Sequence, residues 1–227
     1  MIDALCIGAH PDDVEIGMGA TVAGMIDRGL DVAIVDLTNG EPTPYGTPET
    51  RASESTAAAR VLGVTDRRTL TLPNRYLFDT VDARTALAEV IRDLCPRVLY
   101  VPYPQDAHPD HIAASQIAMA ARFYSKFTKT DMTGEPHYPT KVYHYMAVHM
   151  RLVKKPDLIV DVSDHLDTKI DALRAYASQF GENPRNADVI ESIRIAAHMW
   201  GGMIGVKAGE PFFCAEPIGI TAPEMLV

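Results

Sequence analysis

The sequence has little that would suit it to a nucleic acid, a membrane or an oxidising compartment. Only 21 Lys and Arg stand against 30 Asp and Glu, a formal net charge of -9, and no basic run is present. That balance disfavours nucleic acid and anionic membrane surfaces as partners and leaves a small molecule as the expectation. No hydrophobic stretch approaches the length of a transmembrane span. The first residues include Asp3 and no positively charged segment, so they do not read as a signal peptide, and the expected location is cytoplasmic. Cysteines number only three: Cys6, Cys95 and Cys214. They are odd in number, widely spaced and set in apolar contexts, which argues for buried reduced thiols and against a disulfide framework or a cysteine metal site. Internal repeats, linkers and low-complexity segments are absent, and 227 residues with 47% hydrophobic content read as one domain over 1–227.

What is present alternates. Apolar strand-like runs at 2–9, 31–38, 69–72 and 98–101 are separated by helical patterns at 17–28, 49–62 and 82–94, several ending at a glycine such as Gly29 or Gly63. This order predicts an α/β fold with a doubly wound, mostly parallel sheet and helices on both faces. Further on, a helix is expected over 111–124, a mobile polar loop over 125–140, strands at 142–148 and 158–162, helices at 164–179 and 187–204, and an edge strand within 212–218. Residues 39–49 hold three prolines and two glycines and read as a loop at the same sheet edge as His10.

Chemistry concentrates at two strand ends. The first run leads into His10-Pro11-Asp12-Asp13-Val14-Glu15, too polar a cluster to bury without a compensating charge. The run at 98–102 leads through Asp106 and Ala107 into His108-Pro109-Asp110-His111. Parallel strands of one sheet would bring both turns together, because open α/β sheets bind ligands beyond the carboxyl ends of their strands. His10, Asp13 and His111 then supply two imidazole nitrogens and one carboxylate oxygen, the ligand count of a catalytic zinc site with one position open to water; iron(II) suits the same donors. Adjacent Asp12 and Asp13 cannot point the same way, which assigns Asp13 to the metal and Asp12 to the proton. Each residue has a plainer alternative: the histidines as hydrogen-bonded structural groups, and Asp12, Asp13, Glu15 and Asp110 as caps of the helices that follow. The pairing of two His-Pro-Asp turns favours metal.

Gly17-Met18-Gly19 is not a dinucleotide fingerprint, because it lies nine residues past the strand and Val22 stands where the third glycine belongs. Close approach of backbone to the site is the expected role of Gly17 and Gly19. The methionines and Trp200, at helical spacing, read as core.

The stretch A-H-P-D-D-V-E-I-G-M-G-A-T with H-P-D-H, and R-A-S-E-S-T-A-A-A-R-V-L-G over 51–63, closely resembles the zinc-dependent N-acetylglucosaminyl deacetylases of the LmbE and PIG-L type. The resemblance implies a Rossmann-like sheet, His10, Asp13 and His111 as zinc ligands, and Asp12 as general base. It implies His108 as the protonated group that stabilises the oxyanion, Asp110 as its orienter or that of a neighbouring ligand, Arg51 as a sugar-hydroxyl contact, and a homo-oligomer. K-I-D-A-L-R-A-Y-A-S-Q-F over 169–180 and G-V-K-A-G-E-P-F-F over 205–213 are most similar to the bacillithiol-pathway deacetylases. That likeness implies N-acetylglucosaminyl malate as substrate, in a cleft bordered by Arg51 and the 125–140 loop. Ala20 and Ile112-Ala113-Ala114 depart from that pattern. Alternatives are a chitobiose-like substrate, a thiol-conjugate amide, and a sugar- or nucleotide-binding module with a vestigial site.

Overall fold

In the computed structural model, which describes residues 1–147, 149 and 154–219, the two motif-bearing strands are neighbours. β1 (Ala4–Gly8) and β4 (Val98–Pro102) pair in parallel, with Leu5 opposite Leu99. Between them in sequence come α1 (Asp13–Asp27), β2 (Val32–Asp36), α2 (Pro48–Leu62), β3 (Asp66–Thr69) and α3 (Val81–Leu94). After β4 come α4 (Pro109–Tyr124), β5 (Lys141–Tyr145), β6 (Leu158–Asp161), α5 (Leu166–Arg174), α6 (Val189–Met203) and β7 (Gly209–Cys214). The sheet runs β3-β2-β1-β4-β5-β7-β6, parallel throughout except that β7 is antiparallel to both β5 and β6. The α/β architecture read from the alternating pattern is the one observed. Strand order reverses between β1 and β4, and both motifs leave that crevice, the place where such sheets bind ligands.

Burial on both faces explains the unbroken apolar runs. On β1, Leu5 and Ile7 join Leu87, Ile91, Leu99 and Ile117 beneath α3 and α4. Ala4 and Cys6 face the other way, against Val14, Met18, Ala58 and Tyr176. Cys6 is fully buried, whereas Cys95 and Cys214 are half-buried rather than buried as expected; all three are free thiols. No helix among the described residues is long and apolar enough to cross a membrane.

Several boundaries differ for physical reasons. β3 lies at 66–69, not 69–72: an edge strand of Asp-Arg-Arg-Thr has no apolar signature, because its side chains pair with one another and with α3. The expected edge strand at 212–218 is instead 209–214 and lies inside the sheet, with Phe212 buried and β6 at the edge. The helix expected over 164–179 stops at Arg174, and a π-helical turn at Ala177–Gly181 follows, where Ser178 donates to Glu54 from both its N–H (2.7 Å) and its hydroxyl (2.8 Å). β5 ends at Tyr145, and Val148, the expected end of that strand, lies outside the described residues.

The polar composition of 125–140 predicts a mobile loop bordering the cleft, and the structure corrects this. Arg92 ties the segment down, donating to the carbonyls of Ser125 (3.0 Å), Met132 (3.0 Å) and Phe127, while Arg122 holds Pro139 at 2.9 Å. It packs beside Pro96 and Arg97, at the amino ends of the strands and away from the site.

Candidate metal centre and its cavity

Pro11 and Pro109 bias the histidines before them toward extended backbone, so each imidazole stays at a strand end. Asp12 follows in a left-handed conformation, φ 114°, that a non-glycine residue adopts only under strain. α1 consequently begins at Asp13, four residues earlier than expected, and Asp13 folds back to accept the His10 N–H at 2.9 Å. Asp12 makes no capping bond. Glu15 is buried and accepts from Arg67 at 2.5 Å and from the Tyr176 hydroxyl at 2.9 Å, so it does not cap either.

His10, Asp13 and His111 each present one donor atom within 4.8 Å of the others. His111 Nε2 lies 3.2 Å from Asp13 Oδ1, and His10 Nδ1 lies 3.5 Å from Asp13 Oδ2. Ligands about 2.0–2.1 Å from a tetrahedral zinc stand roughly 3.3 Å apart, so this donor set fits such an ion. Each imidazole is held from behind: His111 Nδ1 meets Asp106 Oδ2 at 2.6 Å, and His10 Nε2 meets Asp110 Oδ2 at 3.2 Å. A carboxylate behind a ligating histidine fixes its ring and raises its basicity. His10, His108 and Asp110 also cluster, but Asp110 already accepts the N–H groups of Arg75 (2.6 Å) and Leu77 (3.3 Å), and His108 Nδ1 accepts that of Asp110 (3.2 Å). The first set is therefore the better cation site.

Electrostatics agree. Burial pulls the His10 imidazole down, but its bonds to Asp110 and Asp13 carry it up to about 9. Burial likewise lowers His111, and the Asp13 charge with the Asp106 bond lifts it to about 10. Burial pushes Asp13 up, yet the His111 charge and its bonds to His10 and His111 hold it well below the usual carboxylate range. Positive charge is favoured at the centre.

Asp110, expected among the catalytic residues as an orienter, lies behind His10 and meets the His108 side chain only through its own backbone N–H. His108 itself caps α4 through Nδ1, which leaves Nε2 to carry the hydrogen. Burial and the charges of His10 and His111 lower it to about 4. While His10 and His111 are charged, His108 is therefore held neutral, with its hydrogen on Nε2. Burial pushes Asp12 up to about 6, against the pull of Arg51 and with the push of Asp13. Arg51 is no solvated helix-start arginine: 2% exposed, it donates to Asp12 Oδ2 at 3.3 Å and to the Pro11 carbonyl, and its guanidinium lies 5.3 Å from the Tyr176 ring centroid.

These groups open on a cavity of about 730 Å³, also lined by Gly40, Pro42 and Thr43 of the Pro-rich loop and by α6. Gly17 lines the same cavity as the ligands, whereas Gly19 is not among its lining residues. A Cβ on Gly17 would fall 2.2 Å from the Tyr145 ring, and one on Gly19 3.3 Å from Lys169. Sequence reasoning missed Asp106 and also His149, whose N–H donates to Asp106 at 2.8 Å and whose ring lies 5.5 Å from that of His108. Asp106 stands on the strand-to-helix loop before the second motif, a place where an acidic residue is a readable signal. His149 carries none.

Residues 5–122 match the PIG-L family, described as GlcNAc-PI de-N-acetylase. The diacetylchitobiose deacetylase of Thermococcus kodakarensis is 31% identical over 225 residues, covering 91% of this chain and 80% of its own. The 1D-myo-inositol 2-acetamido-2-deoxy-alpha-D-glucopyranoside deacetylase 2 of Catenulispora acidiphila is 30% identical over 239 residues, with 77% of this chain and 79% of its own covered. The crystal structure of the conserved protein TT1542 from Thermus thermophilus superposes with a TM-score of 0.90 at 36% identity, covering 98% of each chain.

Proposed function

The chain belongs to the PIG-L (GlcNAc-PI de-N-acetylase) family, and from that premise we propose that it hydrolyses the N-acetyl group of an N-acetylglucosaminyl conjugate, releasing acetate and a free amine. The observation that carries the reading is one cavity holding the His10, Asp13 and His111 donors together with Asp12 and His108. Zinc is the ion we assign, and iron(II) the alternative that the same donors accept. When bound, such an ion supplies Lewis acidity, lowering the pKa of water to roughly 7 and polarising an acyl oxygen.

The chain does the rest. Asp12, raised to about 6 and steadied by Arg51, takes a proton from the attacking water. As the water oxygen bonds to the acetyl carbon, negative charge grows on the carbonyl oxygen, and His108 Nε2–H donates to it. The C–N bond then breaks, the proton held by Asp12 passes to the leaving nitrogen to give the amine, and the acetic acid formed loses the second water proton to solvent and departs as acetate. Arg51 also faces the cavity, where it can meet a sugar hydroxyl.

The finer substrate assignment rests on two stretches, and the structure shows what they do. Lys169 and Glu210, one from each, form a buried pair at 2.6 Å, with Glu210 also accepting from the Thr21 N–H (2.7 Å) and hydroxyl (2.5 Å). Those residues join α1, α5 and β7, so the likeness to malate-handling enzymes is partly a likeness of packing. A chitobiose-like substrate is favoured equally by the relative from Thermococcus kodakarensis. Acetate release from N-acetylglucosaminyl malate, N,N'-diacetylchitobiose and N-acetylglucosamine, with and without a chelator, tests the proposal. Release from at least one, abolished by chelation and restored by zinc, supports it; no release from any overturns it.

A further inference from the structure

The α6 side of the cavity is not explained by the chemistry above. Of the 15 residues of α6, only Ala197 and Gly201 are buried, yet Val189, Ile193, Ala196 and Trp200 line the cavity on one stripe. Ile16, Met146 and Phe180 add to the apolar lining. At about 730 Å³ the cavity lies in the upper part of the range for ligand sites, with room beyond an acetamido sugar for a second group.

Trp200 is not in the core, where its helical spacing would put it, but half-buried on the cavity wall. Among the described residues its ring has no aromatic neighbour. Its backbone is fixed, because α6 presses on β7: a Cβ on Gly201 would fall 2.6 Å from the Ala208 backbone, and one on Gly209 3.1 Å from the Trp200 carbonyl carbon. A half-buried indole on a fixed backbone is a platform for a flat apolar surface.

Charge narrows the occupant. Arg51 is committed to Asp12, and Lys169 to Glu210. Arg194 of α6 pairs with Asp167 and does not line the cavity. Arg75 also lines the cavity, but its backbone N–H is bonded to Asp110 beside the metal centre (2.6 Å) and its guanidinium to the Pro42 carbonyl (2.6 Å), so among the described residues the α6 wall itself offers no cation to a carboxylate.

We infer that the α6 wall, centred on Trp200, is the subsite for the group attached to the amino sugar, and that it selects an uncharged ring with an apolar face over an acidic substituent. This rests on the deacetylase reading and names its substrate class. The ring can be a second neutral pyranose or an aryl group, and the two share one recognition chemistry.

Trp200 is the only tryptophan, so its emission reports the subsite directly. Metal-loaded Asp12→Asn protein, used so that ligands are not turned over, is titrated with N-acetylglucosamine, N,N'-diacetylchitobiose, phenyl N-acetyl-β-glucosaminide and N-acetylglucosaminyl malate. Saturable emission change with the two neutral conjugates, at affinity about tenfold above N-acetylglucosamine, is the expected result for one stacked ring. The stronger of the two identifies the ring as sugar or aryl. In otherwise native enzyme, Trp200→Ala should raise KM for that conjugate about tenfold with kcat little changed, and Trp200→Phe should restore most of it. Equal affinity for all four ligands, tightest binding of the malate conjugate, or an unchanged KM in Trp200→Ala overturns the inference. Saturable emission change without acetate release from native enzyme would defeat the deacetylase reading and leave the subsite standing. Acetate release without discrimination would do the reverse.

Discussion

Replacing Arg51 with Gln removes the positive charge nearest the proposed base. Its guanidinium nitrogens lie 3.3 Å from Asp12 Oδ2, with side chains only 3% and 14% exposed. At an effective dielectric constant near 20, charges about 4 Å apart interact by about 4 kcal/mol, an upper figure of roughly three pKa units. An arginine beside an aspartate typically lowers its pKa by about 1–3 units. Asp12 starts at about 6. Losing the cation favours the protonated form, so its pKa should climb to roughly 7–9, and the carboxylate should be regained only at higher pH. At pH 7 the ionised fraction then falls from about nine-tenths to between about a half and a hundredth, and kcat/KM falls with it. The assay is acetate release from pH 5 to 10, where the acid limb of kcat/KM reports the base in the free enzyme. Arg51→Gln should lose activity at pH 7 and recover much of it by pH 9–10, while Arg51→Lys keeps the limb close to its original place. If kcat/KM drops by one factor at every pH and the limb stays put, Arg51 acts on the substrate alone and the reasoning fails.

Three further outcomes follow from the geometry. Asp106→Asn removes the carboxylate 2.6 Å from His111 Nδ1 and should weaken metal binding about 10- to 100-fold in competition with a chromophoric chelator. His10 and His111, lifted to about 9 and 10, hold protons at neutral pH in protein stripped by chelation. Metal uptake must displace both, so apparent affinity should rise about 100-fold per pH unit below pH 9, and calorimetry in two buffers should count about two protons released. Gly17→Ala drives a methyl group into the ring of Tyr145, itself fully buried and bonded to the Ile7 carbonyl at 2.8 Å. It should cost about 1–3 kcal/mol, read as a fall of roughly 2–12 °C in Tm.

Legibility from sequence followed the range of the interactions. Strands β1, β2 and β4 carry apolar runs because they are buried in the sheet, and the turns after β1 and β4 carry His10, Asp13 and His111, so the fold and the candidate cation cluster were readable together. Asp12 and Asp13 could be told apart only by their roles; the left-handed φ at Asp12 that separates their directions is a property of the folded turn. β3 is misplaced by pattern because an edge strand held by Asp66, Arg68 and Asp93 ion pairs has no hydrophobic period. Lys169 and Glu210 are 41 residues apart, and His149 and Asp106 are 43 apart. Neither partner announces the other, since pairing across a sheet has no period along the chain. The 125–140 segment reads as mobile because its composition is polar, and its anchor, Arg92, lies on the inner side of α3, more than thirty residues before it.

Metal content per chain is the most direct test of the centre itself. Native protein and Asp12→Ala should each carry about one divalent ion, with turnover retained only in the native protein, and His111→Ala should carry none. Full metal occupancy in His111→Ala, or native turnover in protein stripped of its ion, would show that His10, Asp13 and His111 do not hold the ion that serves the reaction.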